Sequence, residues 1–268
     1  FSAPEFSVST INEVTLINNL DLNINKLTIN NQYRTLECDN QNLIAHYKFD
    51  GDFTDSSGNG NDLTTHSGNP TTSTTQFKFG SSAFLSSDAL KTNGFTLHNK
   101  PFSISVWLYT IADGAIISQH KATLTNQQLH IFAFADRKFR FGFLGNDLDT
   151  SNGAYNLNEW YHMVFQIDSN TEQEIWKNGV KIANRTAGSF LDTDNNDIVI
   201  GTRNTWPDFW DGYMDDLRFY DKALSATEIS LLYNKVDFKG SYNDLNNKLD
   251  FNSKEFNISS KNEVSLIR

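Results

Sequence analysis

The chain has 268 residues, with 22 Lys and Arg against 32 Asp and Glu, a formal charge of −10 and one cysteine, Cys38. One cysteine excludes an internal disulfide framework and a cysteine-built zinc cluster, and the acidic balance argues against a surface that neutralises nucleic-acid phosphates. Aromatic residues make up 13%, more than a disordered chain carries, and no apolar run approaches the roughly 18 residues that span a bilayer.

Phe1 stands where an initiator Met would, so the chain reads as processed or as a piece of something longer, and no charged-then-apolar signal peptide opens it. In chain order, Leu20–Ile24 and Lys26–Ile29 alternate apolar and polar residues, which predicts strands with one buried face. Asp55-Ser56-Ser57-Gly58-Asn59-Gly60 is a turn cluster, as is Asp192-Thr193-Asp194-Asn195-Asn196-Asp197. Phe102–Trp107 and Phe139–Phe143 alternate again. Asn178-Gly179, between the apolar runs around Trp176 and Val180, is a strong short-range hairpin signal. Ser225 with Glu228 forms a capping box, followed by Ile229, Leu232 and Tyr233 on one face, so a short helix is predicted over 225–233. Many short strands with regular turns predict an all-β sandwich or barrel. Trp107, Trp160 and Trp176 sit in strand patterns and read as core.

The termini repeat each other. Residues 5–17 and 255–267 share eight identities in thirteen positions, among them Glu5/Glu255, Phe6/Phe256 and Val14/Val264. The repeat places flanking β segments at 1–42 and 235–268 around a body at 43–234. Short isolated strand pairs are marginal in water. The flanks must therefore pair with each other, with the body, or with neighbouring copies in a homo-oligomer or fibre.

Four motifs carry a family resemblance. They are Leu43–Gly51 followed by Asp55–Asp62, then Phe102–Trp107, then Glu159-Trp160-Tyr161-His162-Met163-Val164 with Ile175–Val180, and last Gly212-Tyr213-Met214-Asp215-Asp216-Leu217 running to Ser225. In this order, across 43–234, they resemble the concanavalin A-like lectin/glucanase superfamily in its laminin-G-like branch. The resemblance implies a jelly roll of two antiparallel sheets. It also implies a structural calcium, joining the loop after the first strand (Asp50, Asn61, Asp62) to the last strand (Asp215 or Asp216). Calcium takes hard oxygen ligands, and an inward carboxylate needs a partner. A salt bridge with Arg218 is the other way to supply one. The Asp192–Asp197 cluster starts like a helix-loop-helix calcium loop, but Arg203 stands where Glu is required.

Some members of that superfamily hydrolyse glycans with two closely placed carboxylates. The glucanase spacing Glu-x-Asp-x-x-Glu is absent from the sequence, and the nearest candidate, Glu172-Gln173-Glu174, reads as a solvated strand start. No nucleophile elbow, Walker loop or His-Glu-x-x-His occurs either. The expectation is a non-enzymatic binding module that recognises glycans or another surface ligand. The alternative is a structural or adhesive module of a fibre or capsid assembly. Arg203, Asn204, Trp206, Asp208 and Trp210 offer an aromatic platform beside polar groups on a loop, and His120 and Lys121 could flank it. Asn184-Arg185-Thr186 and Asn257-Ile258-Ser259 fit the glycosylation pattern. The expected setting is extracellular, at a cell or virion surface, with no membrane insertion.

Overall fold

The computed structural model describes residues 42–194, 197–203 and 207–234, together with four short strands nearer the termini. The chain divides into two units, a body from Cys38 to Lys235 and a second unit made of the terminal segments. In the second unit, β1 (Leu27–Ile29) pairs antiparallel with β2 (Gln32–Arg34). The N-terminal copy of the repeat and the predicted strand at 20–24 lie outside the described residues.

The body is built from β3 (Leu43–Tyr47), β4 (Thr64–Ser67), β5 (Thr71–Ser73), β6 (Ser82–Leu85), β7 (Ala89–Thr92), β8 (Phe102–Ala112), β9 (Gly114–His120) and β10 (Gln128–Ala133). It continues with β11 (Phe139–Gly142), β12 (Asp147–Asp149), β13 (Trp160–Ile167), β14 (Glu172–Lys177), β15 (Val180–Thr186), β16 (Ile198–Ile200) and β17 (Asp211–Tyr220), and ends on helix α1 (Ala226–Tyr233). One sheet runs β12-β11-β10-β9-β16-β7-β4, and the other β15-β14-β13-β8-β17-β6-β5 with β3 also on β17. The order of neighbours crosses the sequence order repeatedly, as the expected jelly roll requires. Beyond the body, β18 (Phe256–Ser259) and β19 (Glu263–Leu266) form a hairpin from the C-terminal repeat copy, pairing Phe256 with Leu266 and Ile258 with Val264.

Period-two alternation decides which residues meet between the sheets. On β8, Phe102, Ile104, Val106 and Leu108 enter the core, and Ser103, Ser105, Trp107 and Tyr109 take the other face. Phe102, Phe141, Phe143 and Phe165 make ring contacts across the middle, at centroid distances of 5.2–6.1 Å. Burying each such side chain contributes about 1.5–3 kcal/mol. The three tryptophans expected in the core do not lie between the sheets. Trp107 is buried on the outer face of the eight-stranded sheet, while Trp160 and Trp176 are half-buried. Their strand positions carry the opposite parity to the apolar core positions.

The hairpin at 178–179 is as expected. Asn178 (φ 51°) and Gly179 (φ 81°) both occupy the left-handed region, which a two-residue hairpin turn demands. Helix α1 is also where the capping box placed it. Ser225 Oγ accepts from the Glu228 N–H at 3.3 Å, and Glu228 accepts from the Ser225 N–H at 2.7 Å. Ile229 and Leu232 pack on Leu43, Val164, Tyr220 and Leu224, so the helix covers part of the outer face of the eight-stranded sheet.

Candidate functional site

The two outer faces differ. That of the eight-stranded sheet is covered in part by α1 and by residues 76–80, while the row Phe84, Tyr213, Tyr109 and Trp160 on the same face is only half-buried. Beneath this cover Tyr233 stacks on Trp107 at 5.8 Å, Lys78 lies 4.0 Å over the same indole, and Ser105 Oγ meets His162 Nε2 at 2.9 Å. No helix covers the outer face of the seven-stranded sheet among the described residues.

That face is open only in having no described helix over it, since its outward Ser118, Phe132 and Val199 are buried, and its side chains follow from alternation. Leu129, Ile131 and Ala133 of β10 point into the core, leaving Gln128, His130 and Phe132 outward. Register then builds two rows across the strands. One row is Asp147 (β12), Gly142 (β11), His130 (β10) and Ser118 (β9), and the next is Asp149, Arg140, Phe132 and Ala115. Phe132 stacks on Phe134 at 5.7 Å, and the Arg203 guanidinium lies 4.4 Å over Phe132. A shallow depression opens here, lined by Ser118, His120, Gln128, His130 and Arg203. His130 Nε2 and Gln128 Oε1 are 2.8 Å apart. Burial pushes the His130 imidazole down to about 4, against a weaker upward pull from Asp147, so it is neutral at physiological pH. The hydrogen bond from Arg140 holds the Asp149 carboxyl below the usual carboxylate range. Two buried polar atoms on this face have no protein hydrogen-bond partner, Asp147 Oδ1 and Arg203 Nε.

The structure gathers some of the expected ligand residues and not others. Arg203, Asp208 and His120 belong to this face, with Arg203 paired to Asp208 at 2.9 Å. Asn204 and Trp206 lie outside the described residues. Trp210 does not belong: it is fully buried, with Nε1 donating to Thr110 Oγ1 at 3.3 Å. The chain re-enters the sandwich there, and the Trp210 N–H closes on the Gly201 carbonyl. Lys121 turns away to Asp192 and Asp194 at 3.0 and 3.1 Å. Asp197 pairs with Lys91, so the carboxylates of the 192–197 cluster are matched by lysines. Gln128, His130, Phe132 and Arg140 were not singled out from the sequence. The signal existed, because polar and aromatic residues alternate with Leu129, Ile131 and Ala133.

The five expected calcium donors do not form one set. Asp216 is held by His46 Nε2 at 2.7 Å and Arg218 at 3.1 Å, the salt-bridge alternative. Asn61 and Asp62 belong to a turn organised by Asp55, which accepts from the His46, Ser57 and Asn61 N–H groups. Asp62 caps the Asp55 N–H at 2.7 Å. Burial pushes the Asp55 carboxyl up, but those donors outweigh it and leave it low. Asp50 and Asp215 do converge on one loop. Asp215 accepts from the Lys78 and Phe79 N–H groups at 2.8 and 2.7 Å, and Asp50 from Ser81 at 3.0 Å. Of the five, these are the two whose carboxylates meet the same loop, each through backbone N–H donors.

Glu172 and Glu174, the nearest candidate catalytic pair, are each engaged within the sheet. Glu172 accepts from Asn184, a glycosylation candidate exposed on edge strand β15, and Glu174 from Gln166, Trp176 and Lys181. The side-chain setting of Asn257 lies outside the described residues. No described helix is long and apolar enough to cross a membrane.

A family model described as the concanavalin A-like lectin/glucanases superfamily matches residues 84–230. No curated protein matches the chain. Among solved structures, the chain is similar to domain 4 of AbnA, a GH43 extracellular arabinanase from Geobacillus stearothermophilus, in complex with arabinotriose. The TM-score is 0.58 at 22% identity, covering 71% of this chain and 98% of that one. It is similar to the binding domain of Paraclostridial Mosquitocidal Protein 1, with a TM-score of 0.57 at 18% identity over 73% of this chain and 52% of that one. The binding domain of botulinum neurotoxin DC in complex with rat synaptotagmin II gives 0.56 at 18%, over 73% and 52%. The chain thus spans about half the length of the two toxin domains. At these identities the likeness is one of fold.

Proposed function

The chain belongs to the concanavalin A-like lectin/glucanase superfamily, and from that premise we propose that it is a non-catalytic binding module, working outside the cell, whose ligand is a carbohydrate seated on the open face of the seven-stranded sheet. The observation that carries this is the contrast between the outer faces. One is partly covered by a helix, while the other has no described helix over it and carries a depression of Ser, Gln, His and Arg near half-buried Phe134, which packs on the buried Phe132. Sugars need polar groups for hydroxyls and an apolar surface for their C–H faces. The relatives by fold include a domain solved with arabinotriose and a toxin binding domain solved with a protein, and both ligand classes are compatible with such a surface. A glycan array on the wild type is the test. A hit should weaken about tenfold or more in Arg203→Ala, with the melting temperature retained. An array without hits sinks the proposal.

A second reading rests on the repeated terminal sequence, whose C-terminal copy forms a hairpin. In it the module is structural or adhesive and joins neighbouring copies in a fibre or virion-surface appendage. An empty array together with a mass that rises with concentration would favour this reading.

Calcium is a separate proposal, reduced to Asp50 and Asp215 at the 78–81 loop. Millimolar calcium should raise the melting temperature, and Asp50→Ala should abolish the shift. Identical melting in calcium and in chelator would remove it.

A further inference from the structure

Two loops of the body bring a histidine and two carboxylates together, none of them lining the depression. Leu191 and Thr193 are fully buried, so alternation along the segment before β16 turns Asp192 and Asp194 to the opposite side. Thr193 Oγ1 donates to Gln119 Oε1 at 2.6 Å, and the Asp192 N–H to the Asn126 carbonyl at 2.7 Å, which pins that segment. The loop before β8 is tied to it, because the Asn99 N–H donates to the Leu191 carbonyl at 2.8 Å. His98, next to Asn99, therefore meets the two carboxylates. Its Nδ1 stands 3.4 Å from Asp192 Oδ1 and 3.9 Å from Asp194 Oδ1.

One atom from each of the three side chains lies within 4.8 Å of the other two. Ligands held about 2.0–2.2 Å from a tetrahedral zinc are about 3.3–3.6 Å apart, so the set needs only a small closing movement. His98 Nδ1 makes no hydrogen bond. The two carboxylates share one lysine, Lys121, at 3.0 and 3.1 Å, so with a neutral imidazole the group keeps a negative charge. Gln127 Nε2 donates to Asp192 Oδ2 at 2.9 Å and leaves Oδ1 turned to His98. Outer contacts of this kind orient a metal's ligands. The side chains of His98, Asp192 and Asp194 are 37%, 43% and 63% exposed, so a hydrated ion can reach them.

We propose that His98, Asp192 and Asp194 bind a divalent zinc-type ion that links the two loops, with water completing its coordination. An imidazole beside two carboxylates suits such an ion, whereas calcium takes oxygen donors alone. Lys121 is the competing cation. The test is a calorimetric titration of the metal-stripped full chain with zinc chloride. The wild type should bind one ion with a dissociation constant below about 100 μM. His98→Gln and Asp194→Asn should each weaken binding about tenfold or more, since even outer partners of a ligand are worth about 10–100-fold. Lys121→Met removes a like charge and should bind zinc at least as tightly as the wild type. A cluster held only by its ion pairs would not respond in that direction. Melting curves check that each variant folds, and Asp194→Asn, at the most exposed of the three positions, carries the test if His98→Gln does not. His98→Gln should leave any calcium response of Asp50 and Asp215 unchanged, which keeps the two metal proposals distinct. Wild-type binding weaker than about 100 μM overturns the inference. So does tight binding that neither His98→Gln nor Asp194→Asn alters, or a Lys121→Met variant that binds zinc less well.

Discussion

Asp215 and Asp216 show how one residue can escape sequence reasoning. Strict alternation allows only one of two neighbours to face inward. Asp216 instead takes a left-handed conformation, φ 51°, at a bulge where β17 shifts register against β8. Both carboxylates are consequently buried. Asp tolerates that conformation better than a bulky residue would. The consequence for stability is large, because Arg218 is itself buried and depends on Asp216. Asp216→Ala should destabilise the fold by about 3–5 kcal/mol in denaturant titration, while Asp216→Ala combined with Arg218→Met should recover much of that loss. An effect below about 1 kcal/mol would show that the pair is not desolvated in solution. Nothing in the residue names flags the bulge, which comes from the way β17 serves β8, β3 and β6 at once.

At the scale of elements, what was legible depended on whether the causes were local. The Asn178-Gly179 turn and the Ser225–Glu228 box are made by residues within four positions of each other, and both stand where the sequence put them. Ser225→Ala should cost about 1 kcal/mol through the loss of one capped N–H. Ser225→Asp should be nearly neutral, and differential scanning calorimetry separates the two. Segment 201–210 was legible only in part. Its composition read as an aromatic loop, which placed Arg203 and Asp208 correctly on a surface. Trp210 went the other way, because it is the residue at which the chain closes back on Gly201 and enters the core. Its apolar character was visible, but whether a loop aromatic serves a ligand or the core depends on which end of the loop rejoins the sheet.

For the molecule as a whole, the buried His162 beneath α1 contributes to the response to acid. Burial pushes the His162 imidazole down to about 3, with Asp216 pulling the other way and Arg218 and Lys78 pushing further down. The folded state keeps the ring neutral, whereas the unfolded chain takes up a proton below about 6.5. Stability is therefore full above about pH 6.5 and falls as pH drops toward 3, by at most about 1.4 kcal/mol per pH unit from this group. Urea midpoints should decline between pH 7 and 5, and His162→Gln should flatten that decline. A slope unchanged by the substitution would assign the acid sensitivity elsewhere.

The sequence by itself determined the all-β architecture, the family, the Asn178-Gly179 hairpin and the capped helix. Periodicity, turn chemistry and capping are properties of neighbours along the chain, so they are written in it. The charge of −10 excluded partners but did not say where the charges meet. Tertiary structure alone decided that Asp208, Asp149, Asp136 and Asp197 are matched to Arg203, Arg140, Lys138 and Lys91, and that helix α1 packs on one outer face and not on the other. It also decided that Asp216 pairs with Arg218 and His46. Those outcomes depend on strands distant in sequence being brought into register, and register across a sandwich is fixed by the packing of the whole.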